Sequence, residues 1–76
     1  MTSAQQIKQY VWDTLRDYFD ATDRDLTADD VATMTELNRP AVATALRLLS
    51  EEGRVRGVQS WQASYPARIT GINRDA

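Results

Sequence analysis

Apolar side chains recur along the first segment at Ile7, Tyr10, Val11, Leu15, Tyr18 and Phe19, at offsets of 0, 3, 4, 8, 11 and 12. That spacing is one face of a 3.6-residue period and predicts an amphipathic helix over about residues 4–20, with Trp12 off its apolar face. Ser3 with Gln6 matches a capping box at its start, and Ala21-Thr22-Asp23 ends the pattern without a glycine. A second start signal follows at Thr27, a good N-cap, with Asp29 and Asp30 placed to favour the positive end of a helix. It predicts a short helix over about residues 28–34 with Val31 and Met34 turned inward, then a tight turn through Thr35-Glu36-Leu37. A third helix is expected over about residues 39–52. Pro40 suits its first turn, and either Asn38 or Arg39 is the cap, since proline disfavours the helical region for the residue before it. Val42, Ala45, Leu46 and Leu49, at offsets 0, 3, 4 and 7, form its buried stripe and Gly53 its stop. Glu51 and Glu52 oppose the helix dipole at that end.

Beyond Gly53 the texture changes. Residues 54–61 and 67–72 are short and β-branched enough to predict two strands pairing as a hairpin, with Pro66 near the second strand's start, where a strand tolerates it. The expected fold class is α+β, mostly α: three helices and a C-terminal hairpin in one domain over residues 1–76.

Composition narrows the chemistry. Seventy-six residues leave room for one small core, and 42% apolar with 26% charged residues is a globular balance. The chain has no cysteine and no histidine, which excludes disulfides, thiolate or imidazole metal sites, cysteine nucleophiles and histidine bases. No spacing sets a nucleophile beside a base, so neither an enzyme nor a cofactor is expected. Asp20, Asp23, Asp25, Asp29 and Asp30 lack the glycine and terminal glutamate of a calcium loop and read as caps and solvated loop. No apolar run approaches a membrane span and the N-terminus lacks the order of a signal peptide, so a cytoplasmic protein is expected.

The net charge of −2 hides a division. Residues 1–37 carry three basic and eight acidic side chains; residues 38–76 carry six basic and three acidic, and all six are arginine. Arginine's planar fork suits phosphates and guanine edges, although six arginines also make an ordinary solvated surface.

The order helix, short helix, tight turn, helix, glycine, strand, loop, strand resembles the winged helix-turn-helix superfamily of bacterial, archaeal and phage transcription regulators. The residues that carry the resemblance are Leu26-Thr27-Ala28-Asp29-Asp30-Val31-Ala32, and Leu37 to Val55 with Leu46, Leu49, Gly53 and Val55 in its L-x-x-L-x-x-x-G-x-V places. The resemblance implies double-stranded DNA as the partner, with the helix at 39–52 as recognition helix in a major groove. Asn38, Arg39, Pro40, Ala43, Thr44 and Arg47 would then face the DNA, Arg39 and Thr44 toward bases and Arg47 toward phosphate. The hairpin would be the wing, offering Arg56, Trp61, Tyr65 and Arg68 to backbone or minor groove. Aromatic residues such as Trp61 and Tyr65 also serve to brace a hairpin.

The first helix carries Tyr10, Trp12, Tyr18 and Phe19, more aromatic surface than one small core readily consumes, and this predicts a homodimer through that helix. The alternative to DNA is a protein partner. Ala41 and Ala43 read no bases, the pI is about 4.8, and winged helices also serve as protein-interaction modules.

Overall fold

The computed structural model describes residues 3–57 and 68–73, and statements of absence below refer to these. The chain forms α1 (Ala4–Ala21), β1 (Leu26–Thr27), α2 (Ala28–Thr35), α3 (Arg39–Glu51), β2 (Val55–Gly57) and β3 (Arg68–Ile72). The fold is α+β and mostly α: three helices and a small antiparallel sheet in the order β1-β3-β2, with β2 and β3 as the C-terminal hairpin pair.

Each helix begins where its local chemistry asks. Ser3 Oγ accepts the Gln6 N–H at 3.2 Å while Gln6 Oε1 accepts the Ser3 N–H at 3.1 Å, a reciprocal capping box. Thr27 and Asp30 repeat it at the start of α2, at 3.1 and 3.0 Å. Asn38, not Arg39, caps α3: its backbone is extended and its Oδ1 accepts the Ala41 N–H at 2.9 Å. At the end of α3 the Gly53 N–H donates to the Ser50 carbonyl at 3.0 Å and the Arg54 N–H to the Leu49 carbonyl at 2.9 Å. These two bonds with Gly53 at φ +75° form a Schellman motif, which satisfies carbonyls the helix leaves unpaired.

The core is built from Val11, Leu15, Val31, Val42, Leu46, Leu49 and Ile69, all essentially solvent-free, with Leu26, Val55 and Ile72 closing it from the sheet. Burying each such side chain contributes about 1.5–3 kcal/mol. Two side chains face the opposite way from that expected. Met34 is 40% exposed, and the buried residues of α2 are Val31 and Thr35, one turn apart. Thr35 can lie inside because its hydroxyl donates to the Val31 carbonyl at 2.7 Å. Trp12, expected off the apolar face, is buried at 7% exposure, with the Arg54 guanidinium 5.3 Å from its ring centroid. Together Arg54 and the indole make a cation–π contact that closes the edge of the core where α3 ends.

The sheet holds a feature the periodicity did not reveal. Thr27, expected as a cap, and Leu26 before it also form a strand: Leu26 pairs with Ile69 and Thr27 with Arg68. On its other side β3 pairs Ile72 with Val55 and Gly71 with Arg56, but Ile69 with Gly57, so Thr70 is an extra residue in a β-bulge. An extra residue flips side-chain parity. Ile69 and Ile72, three positions apart, are therefore both buried. Gly57 is required at the bulge, because at its φ of +152° a Cβ would overlap the Arg68 carbonyl oxygen. The inner parts of the predicted strands 54–61 and 67–72 are thus observed, whereas residues 58–67, including Trp61 and Tyr65, lie outside the described residues.

Glu36 ends α2 in the left-handed region at φ 60°, a conformation that disfavours any residue with a Cβ. Glu36→Gly should raise the unfolding free energy by about 1 kcal/mol, and Gly53→Ala, at a site with open space around it, should lower it by about as much. Urea unfolding of the two variants checks both signs.

Candidate nucleic-acid interface

α3 divides cleanly. Val42, Ala45, Leu46 and Leu49 are buried, whereas Arg39, Pro40, Ala43, Thr44 and Arg47 are exposed. Arg39, Ala43 and Arg47 follow one another at four-residue intervals, so they form a row about 12 Å long on one face. Asn38, just ahead, is exposed but spends its side-chain oxygen on the cap.

The first turn of α3 lies against the first turn of α2. Arg39 Nε donates to Asp29 Oδ1, and Arg39 Nη2 forms an ion pair with the same oxygen. β1–β3 pairing sets Arg68 opposite Thr27, the residue that caps α2. Arg39 thus contacts the first turn of α2, and the backbone of Arg68 pairs with the residue that caps it. Arg56 does not join them. Its Nη2 donates to the Ile72 carbonyl at 3.3 Å, and its side chain lines a cleft with Phe19, Asp23 and Thr70 beside the acidic end of α1.

Compared with family models, curated proteins and solved structures, the chain matches none. The geometry of the site therefore carries the functional reading.

Among the described residues there is no cluster of three or more acidic side chains suited to a metal ion. The aspartates at the start of α2 have other work: Asp30 closes the capping box and Asp29 engages Arg39. No helix is long and apolar enough to cross a membrane. Of the four aromatic residues on α1 expected at a dimer face, Trp12 belongs to the core, and Tyr18 and Phe19 are half-buried in an edge-to-face pair with centroids 5.1 Å apart. Tyr10 is 48% exposed. A shallow groove of about 300 Å³, lined by Ala4, Ile7, Pro40, Ala41, Thr44 and Ala45, runs between the start of α1 and the first half of α3.

The residue that sequence reasoning missed here is Asp29, expected to compensate the helix dipole and to be solvated rather than to hold Arg39. The available signal was an acidic residue in the first turn of one helix and a basic residue at the start of the next, joined by a three-residue turn.

Glu52 sits away from this face and fastens the far end of α3. Lys8 Nζ donates to its Oε2, and Arg54 Nε lies 3.0 Å from its Oε1. The hydrogen bond from Lys8 holds the Glu52 carboxyl below the usual carboxylate range, against desolvation, with the charges of Lys8 and Arg54 adding to it. A carboxyl depressed in the folded state stabilises above its unfolded pKa, and that share is lost as pH falls through the folded value. Wild type should therefore exceed Glu52→Gln in stability at neutral pH, and the difference should shrink as the pH is taken below 4.5. Urea unfolding of both proteins across that range measures it.

Proposed function

We propose that this chain is the DNA-binding domain of a small cytoplasmic transcription regulator of the winged helix-turn-helix type. In this reading α3 enters the major groove of duplex DNA and the β2–β3 hairpin is the wing. The observation that carries it is the exposed row Arg39, Ala43 and Arg47 on α3, with Arg68 held at the start of the neighbouring helix. Residues 38–76, which form α3, β2 and β3, carry six arginines against three acidic side chains, and Asp29 of α2 is held by Arg39. Arg39 and Thr44, in the first half of α3, read base edges, and Arg47, two turns beyond Arg39, meets phosphate. A homodimer on two half-sites completes the reading, with α1 presenting Tyr10.

A second reading has one observation behind it. The groove of Ala4, Ile7, Pro40, Ala41, Thr44 and Ala45 borders the same half of α3 and suits the apolar side chains of a protein partner. Salt separates the two. Phosphate contacts weaken binding with a log–log slope of about −0.9 per contact as salt rises, and an apolar docking surface does not.

Titration of a random-sequence duplex pool at low and physiological salt tests the proposal. Wild type should bind in a steeply salt-dependent way, and Arg39→Ala/Arg47→Ala should lose most of that binding while unfolding at an unchanged urea concentration. Absence of binding by wild type at low salt would overturn the DNA reading.

A further inference from the structure

A guanidinium offers parallel N–H groups along two edges, the side edge of Nε and Nη2 and the end edge of Nη1 and Nη2. In Arg39 the side edge is occupied, since Nε and Nη2 both meet Asp29 Oδ1. Both partners are exposed, at 70% for the arginine side chain and 51% for the aspartate, and they tie the first residue of α3 to the first turn of α2. The end edge faces away from the carboxylate that holds the side edge, and it presents two parallel donors at the start of α3's exposed row.

Two parallel donors match the N7 and O6 acceptors of guanine in the major groove. Adenine sets a donor beside its N7 and does not match. The carboxylate also decides between a base and a phosphate. A negative charge beside Arg39 opposes the approach of a phosphate anion but costs a neutral base edge little. An arginine held on one edge also loses less freedom on binding than a free one. We infer that Asp29 is a positioning residue that aims Arg39 at a guanine, so that each preferred half-site carries a guanine under the N-terminus of α3. This inference rests on the DNA-binding reading above.

The test uses the whole chain and a duplex selected from the random pool, compared with the same duplex carrying 7-deazaguanine at the guanine. Wild type should discriminate between the two by about tenfold or more, the effect of one bidentate contact. Asp29→Asn should lose most of that discrimination and bind unselected duplexes more tightly, with its unfolding midpoint lowered by no more than the loss of one exposed charge at a helix N-terminus. Arg39→Lys should lose the discrimination while keeping the salt dependence. A purely structural role for Asp29 would weaken all duplexes alike and lower the midpoint beyond that. Selection of duplexes without a recurrent guanine, or discrimination that survives Asp29→Asn, overturns the inference and leaves DNA binding standing. Failure of wild type to bind any duplex at low salt removes both.

Discussion

Two residues connect the parts of this protein. Leu26 buries its side chain in the core and pairs with Ile69, while Thr27 pairs with Arg68 and, in the same position, caps α2. The dipeptide thus makes β3 the central strand of a three-stranded sheet and anchors that sheet to the start of the helix-turn-helix. An isolated two-stranded hairpin is marginal in water, so the third strand and the core beneath it give β2 and β3 their support. The same register places Arg68 beside the residue that caps α2.

At the other end of the molecule α1 holds the end of α3. Lys8 and Trp12, one turn apart on α1, reach Glu52 and Arg54, the former by an ion pair and the latter by a cation–π contact. Glu52 at a helix C-terminus is unfavourable by local electrostatics alone. Its two cationic neighbours offset that conflict and turn it into a link between helices. In a domain with one small core, where net stability is a small difference between large terms, such edge contacts help to set the margin.

Charge is divided along the chain. Acidic residues dominate α1 and the segment leading to α2, and arginines dominate α3 and the strands. Asp29 crosses that division: it stands on the acidic side in sequence but contacts the first residue of α3. A carboxylate among guanidinium groups lowers the attraction for phosphate at that point while ordering the arginine it touches. Arg56 lines a cleft with Asp23 and Phe19 at the end of α1.

The elements themselves were legible in the sequence because their determinants are local. Capping boxes at Ser3 and Thr27, the cap at Asn38, the stop at Gly53 and the stripe from Val42 to Leu49 each depend on residues a few positions apart. The exposed row on α3 follows from that stripe. What local pattern could not decide depends on partners distant in the chain. Trp12 joins the core cluster with the Arg54 guanidinium beside its ring, and Met34 stays outside because α2 turns Val31 and Thr35 to the core. Leu26-Thr27 is a strand only because β3 arrives beside it, and Ile69 and Ile72 share the core only because the bulge at Thr70 resets their parity. The contact of Arg39 with Asp29, across a turn between two helices, belongs to the same class: helix periodicity named both residues as exposed, and only the packing of α2 against α3 made them neighbours.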